Sequence, residues 1–231
     1  MSKHVGAILW KQCKDILKNK TILVQFLMFP FMTIIMEIAI EIPGMPEHFF
    51  ANLFAVMYIG MAPLTCMAAI ISEEKEKNTL RVLQMCNVKA TEYLLGNAVY
   101  IIGICLFGSL IIGLAGGYQG TELIYFMLIM LLGHSISVLL GAAIGVACKN
   151  QMMATSVTVP VMMLLSFLPM LSMFNETIGK IAKYVFSGQL HWMINHVGNM
   201  QLHLENILIL GGNMILVLGV FLVVYKKAFT Y

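Results

Sequence analysis

Charge is what this chain of 231 residues has least of. Asp, Glu, Lys and Arg together make up 11% of it, while 60% is hydrophobic; in soluble domains the charged share is about 25% and the apolar share about 45–50%. Such a composition cannot cover a water-exposed globule and identifies an integral membrane protein. Each bilayer crossing takes roughly 20 mostly apolar residues, because in hydrocarbon every backbone polar group must be satisfied within its own helix. The chain has room for several crossings and none for a separate soluble domain of ordinary size. A net charge of +3 is too small to imply a nucleic-acid partner. The five cysteines (Cys13, Cys66, Cys86, Cys105, Cys148) form no CxxC pair and no metal-ligand spacing, which excludes a disulfide framework. Phosphate loop, HExxH and GxSxG are all missing, and the run Gly133 to Ser137 does not meet the last pattern. No catalytic residue and no metal site is therefore assigned.

What is there is a series of apolar runs, at 21–42, 51–71, 93–115, 122–148, 152–174 and 207–225. They predict an all-α integral membrane fold, a single transmembrane domain of six spans over residues 1–231. Pro30, Pro63, Pro160 and Pro169 fall inside these runs, where neighbouring helices can compensate for a lost backbone hydrogen bond. Residues 1–20 put Val5, Ile8, Leu9, Cys13 and Ile16 near one helical face and His4, Lys11, Lys14, Asp15 and Lys18 near the other. With Trp10 as anchor, they predict an amphipathic helix lying at the membrane surface. The run that follows is long and lacks a small-residue cleavage site, so this first segment is expected to be retained. The twenty methionines are read as fillers of gaps between helices.

Twelve of the fourteen Lys and Arg fall on one side of this topology: before the first span, in 72–92, at Lys149 and at Lys226 and Lys227. Only Lys180 and Lys183 fall on the other. The positive-inside rule then places both termini and 72–92 in the cytoplasm of a multi-pass plasma-membrane protein. Across the membrane, 175–206 is expected to form an outer amphipathic segment of one or two helices, with Ile178, Ile181, Ala182, Val185 and Phe186 repeating opposite Lys180 and Lys183.

The long cytoplasmic loop carries the stretch EEKEKNTLRVLQMCNVKATEYLLGN. Ser72 is placed to cap a short helix with Glu73, Glu74 and Glu76 in its first turn, and Glu73 and Lys77 are spaced as an i,i+4 pair. Asn78 tolerates a break in helical geometry, after which Leu80, Val82 and Leu83 offer a small apolar face. Such a unit suits docking of a cytoplasmic partner, and equally a solvated loop that merely obeys the charge rule. The same stretch resembles the loop after the second membrane helix of ABC-2 type transporter permeases: an acidic and basic run, a Thr-Leu pair at Thr79 and Leu80, then Leu94, Leu95 and Gly96 at the start of the third helix. Asn78 stands where that family often has Gly, and Arg81 where it often has Glu. The whole layout is similar too. The resemblance implies a coupling helix that fits a groove on an ATP-binding subunit, with Glu73, Glu74, Glu76, Thr79, Leu80, Arg81 and Leu83 as its coupling residues. It further implies two ATP-binding subunits that hold the ATP and Mg, none being held by this chain, and a second copy of this permease or a paralogue.

Within the membrane, His134 in the fourth span is either a path residue or a neutral imidazole bonded to a hydroxyl on an adjacent helix. Glu37 and Glu41 lie one turn apart near the outer end of the first span, where they either attract a cation or sit in the interface. Asn97, Tyr100 and Gln25 are weaker candidates to line a path. His48, His191, His196 and His203, with Glu205, fall on the outer side without a standard ligand spacing. Gly113 with Gly117, and Gly141 with Gly145, are spaced for close helix contact. The expectation is a permease moving a hydrophobic or amphiphilic peptide, drug or lipid-like molecule outward among membrane lipids. The alternatives are a stand-alone channel or carrier, and a non-transporting membrane scaffold or immunity protein.

Overall fold

In a computed structural model, the structure describes residues 3–16, 20–40, 44, 46–199 and 204–229. Among the described residues every regular element is a helix. In chain order they are α1 (Lys3–Ile16), α2 (Lys20–Ala39), α3 (Phe49–Glu76), α4 (Thr79–Met85), α5 (Ala90–Ala115), α6 (Gly120–Ala147), α7 (Gln151–Ser172), α8 (Glu176–Ala182), α9 (Phe186–Asn195) and α10 (Leu204–Phe229). Six of them, α2, α3, α5, α6, α7 and α10, are long and apolar enough to cross a membrane. The four prolines foreseen inside spans lie within α2, α3 and α7. At one end of the bundle α4 and the α6–α7 turn come together; at the far end lie α8 and α9.

The second span is the centre of the bundle. Of the apolar stretch of α3, 78% is buried inside the protein, against 6% of that of α10, and α2, α5, α6, α7 and α9 all pack on it. Apolar side chains gain nothing by leaving lipid for one another, so such packing needs close backbone approach. The sequence supplies it: a Cβ at Gly141 would overlap the Leu64 carbonyl oxygen, and one at Gly145 would sit 2.8 Å from Ile71 Cβ. Gly60 and Gly108 do the same for Ser166 of α7 and the Tyr58 hydroxyl. The pair Gly141 and Gly145 thus serves contact between α6 and α3 within one chain. Gly117 does not: at φ 82° it forms the α5–α6 turn.

Two local expectations change. Ser72 does not begin a new helix. Apolar α3 continues through Glu76, and the Ser72 hydroxyl donates to the Ala69 carbonyl at 3.1 Å inside it. Helix α1 does not present its apolar side to lipid alone, because Val5, Ile8 and Gln12 are buried and Gly96 leaves room for Ile8 on α5. Cys13 faces out, and Trp10 is exposed beneath the Lys14 ammonium, 4.9 Å from its ring centre.

Gly141→Ala tests the α3–α6 contact. Glycine to alanine inside an open helix is favourable by about 1 kcal/mol, so Gly103→Ala, with open space at its Cβ, is expected to keep or raise the melting temperature in detergent. Gly141→Ala is expected to lower it by several degrees, and equal behaviour of the two contradicts this packing.

Candidate functional site

The charged run at the end of α3 is built as a four-way clamp. Successive helical residues point about 100° apart, so Glu73, Glu74, Lys75 and Glu76 face four directions and meet four different partners. Glu73 turns along its own helix to Lys77, at 2.5 Å, a pairing that raises the pKa of the exposed Lys77 ammonium. Glu74, buried, is ion-paired with Lys11 of α1 and lies beside the Tyr93 hydroxyl of α5. Lys75 donates to the Val146 carbonyl at 2.7 Å and the Cys148 carbonyl at 2.6 Å, at the C-terminus of α6. Glu76 accepts from the Gln151 backbone N–H at 2.9 Å, at the N-terminus of α7.

The last two contacts have a common electrostatic logic. A helix ends with unsatisfied carbonyls at its negative pole and begins with unsatisfied N–H groups at its positive pole. The tight turn through Lys149 and Asn150 brings one of each together. Lys75 and Glu76, adjacent in sequence, place a cation and an anion on the matching poles, and Asn150 adds its own cap to Met153 N at 2.9 Å.

Beyond Lys77 the chain breaks at Asn78, whose φ of 56° is left-handed, a conformation asparagine accepts better than most residues. Helix α4 then runs Thr79–Met85 and ends at Asn87, φ 59°, with Val88 N–H bonded to the Leu83 carbonyl at 3.1 Å. The Glu92 carboxylate accepts the Lys89 N–H at 3.1 Å as α5 starts. Leu80 and Leu83 turn inward and pack against the core. The outward face of α4 carries Arg81, Val82 and Met85, with Val82 57% and Met85 82% exposed. Beside Glu76, the first turns of α7 line an open groove of about 690 Å³ with Met152, Thr155 and Ser156.

The interior candidates are held by the protein itself. His134 is fully buried and shares a 2.8 Å hydrogen bond from Nε2 with Ser109 of α5, with its ring edge-on to Tyr58. Asn97 accepts from Gln12 of α1 at 2.8 Å and donates to the Tyr93 carbonyl. Glu37 accepts from Ala51 N–H at 2.9 Å, capping the start of α3. Gln25 accepts from Thr65 at 3.2 Å, and Tyr100 is buried in the core. Glu41 and His203 lie outside the described residues. His48 contacts the Gly116 carbonyl and stacks on Tyr118, His196 contacts the Trp192 carbonyl, and His191 is bonded to Asn195, so these histidines are dispersed. Sequence reasoning missed the roles of Lys75, Lys11 and Gln12. Their signal was weak: a lysine one turn before a break, and a glutamine interrupting the apolar face of α1.

Six apolar helices, one of them buried among its neighbours, with charge gathered at one end, define a multi-pass membrane protein. The chain belongs to the ABC-2 transporter family, matching the family described as ABC-2 family transporter protein over residues 14–229. Its class is therefore that of a membrane transport permease, associated in general with ABC ATP-binding subunits. No curated protein matches the chain.

Lys75→Met removes the donor to two carbonyls at the end of α6. The expected cost is about 1–3 kcal/mol, the range for leaving buried polar groups unsatisfied, read as a drop in melting temperature in detergent. Lys77→Met, which loses only an exposed pair, is expected to leave it unchanged.

Proposed function

We propose that this chain is the permease subunit of an ATP-driven exporter, working as two copies, or with a paralogue, alongside two ATP-binding subunits. In this reading α4, α1 and both termini face the cytoplasm, as the charge distribution favours. The single observation that carries it is α4: a helix presenting Arg81, Val82 and Met85 outward while Leu80 and Leu83 key it into the bundle. Thr79 starts it, and Glu73, Glu74 and Glu76 act behind it, holding the end of α3 to α1 and α7.

A push on α4 reaches the bundle by two routes. One is the inward pair Leu80 and Leu83. The other is the end of α3, tied to α1 through Lys11, to α6 through Lys75 and to α7 through Glu76. ATP binding shifts the bundle only as far as the ATP-bound subunits prefer one arrangement over the other. Because His134, Asn97 and Glu37 are occupied in helix contacts, the membrane interior offers a mainly apolar surface, which suits a hydrophobic or amphiphilic substrate.

Val82→Asp and Met85→Asp, substitutions on the exposed face, are expected to abolish co-purification with the partner ATPase while the permease still inserts and melts as wild type. Leu80→Asp is expected to impair folding first, because that side chain is packed inward. Retention of the ATPase by both exposed-face variants, with unchanged ATPase activity in lipid, overturns the docking role of α4.

A further inference from the structure

The end of the bundle opposite α4 carries four side chains hydrogen-bonded in series. Tyr118, in the α5–α6 turn, donates its hydroxyl to Asn52 Oδ1 at 2.5 Å. Asn52, in the first turn of α3, donates from Nδ2 to Asn195 Oδ1 at 2.8 Å. Asn195, at the end of α9, donates from Nδ2 to His191 Nε2 at 3.1 Å, one turn back on the same helix. Tyr118 and Asn52 are buried, whereas Asn195 is exposed. Three elements distant in sequence are joined in this way, and every bond runs in one direction, from Tyr118 toward His191.

A primary amide accepts at its oxygen and donates at its nitrogen, so turning it over exchanges the two with almost no change of shape. A row of two amides can therefore run either way, and the groups at its ends decide which. At the His191 end Nε2 accepts, so a neutral ring carries its proton on Nδ1. A protonated ring donates from both nitrogens, and Nε2 then meets the Asn195 amino group donor to donor. Asn195 relieves the conflict by turning Oδ1 to the ring; its Nδ2 then opposes Asn52 Nδ2, and Asn52 turns over in response. At the other end the Tyr118 hydroxyl now accepts from Asn52, and its own proton has a second acceptor in reach, the Ile194 carbonyl at 3.5 Å. Each direction is closed at both ends without any movement of the backbone.

We propose that Tyr118, Asn52, Asn195 and His191 form a proton-operated switch: a proton taken from water onto the His191 Nε2 lone pair reverses both amides and converts Tyr118 from donor to acceptor. The Asn195–His191 bond is an exposed one, which gives water access to this end of the row. Burial lowers the His191 pKa, so the ring is neutral near pH 7 and charges on acidification below the usual histidine range. Few charged groups surround it among the described residues. Helix α8 brings Lys183, which Glu205 of α10 neutralises at 2.7 Å. Helix α6 brings Glu122, beside Gly198 just beyond α9, and α9 itself carries His196, bonded to the Trp192 carbonyl. Helices α3, α7 and α10 bring the uncharged Asn52, Ser172 and Asn206. Tyr118 stacks on His48 and Phe126, so the row carries a change of charge on α9 across α3 to the packing of the α5–α6 turn. In the orientation proposed above this end meets the outer medium, which makes external acid the input; the switch itself rests on the fold and is independent of any ATPase.

NMR of the full chain in detergent, with isotope-labelled histidine rings and tyrosine Cζ, reads both ends of the row. His191 and Tyr118 are assigned among six histidines and eight tyrosines by the signals lost in His191→Gln and Tyr118→Phe. At pH 7 His191 is expected to be neutral with its proton on Nδ1. On acidification the Tyr118 signal is expected to shift with the same midpoint as His191, and to lose that shift in His191→Gln and in Asn52→Leu. Asn52→Asp puts an acceptor-only group in the row, which draws Asn195 Nδ2 toward itself and turns Oδ1 to the ring. His191 is then expected to carry a proton on Nε2 at pH 7, an outcome that loosened packing does not produce. Melting temperatures establish that each variant is folded, and should the Asn52 variants unfold, wild type and His191→Gln still decide the matter. A Tyr118 signal indifferent to the His191 titration, a shift that survives His191→Gln, a ring still protonated only on Nδ1 in folded Asn52→Asp, or a His191 that stays neutral until the chain unfolds in acid overturns the proposal.

Discussion

Everything in this bundle depends on α3 being packed on nearly every side. In lipid the usual reason for apolar helices to associate is missing, since a leucine is as well solvated by acyl chains as by another leucine. What remains is contact at short range, and Gly141, Gly145 and Gly60 let the α6 and α7 backbones reach α3 closely enough for it. Few polar atoms are then needed inside, and some of those present, such as His134 with Ser109, bridge neighbouring helices.

Packing of this kind is weak at helix ends, where backbone groups run out of partners. The charged run at the end of α3 addresses that weakness directly. Four consecutive side chains reach α3 itself, α1, α6 and α7, so the charge that looks excessive in sequence is distributed over four separate contacts in space. The same end carries α4, in which inward leucines and outward Val82 and Met85 are divided within seven residues. In the function proposed above, a force on this short helix would enter a bundle already tied together at that point.

The opposite end is organised on a different principle. There α8 and α9, with the start of α10, gather amides and a histidine around a cavity. One end is thus stiffened by charges on helix poles, and the other retains polar atoms unspent by the fold.

Sequence by itself determined the class of fold, the presence of six spans and the break at Asn78, because these follow from local quantities: runs of apolar residues and the backbone freedom of single residues. It also carried the family, through the motif from Glu73 to Gly96. Tertiary structure alone decided which partner each charge takes. A period of 3.6 residues tells that Lys75 and Glu76 diverge, but not that α6 ends and α7 begins beside them. It likewise decided that Leu80 and Leu83 face inward, that Asn97 and Glu37 serve contacts within the protein, and that His191, Asn195 and Asn206 share a cavity. Those outcomes rest on contacts between residues far apart in the chain, and no local pattern encodes which distant helix will be the neighbour.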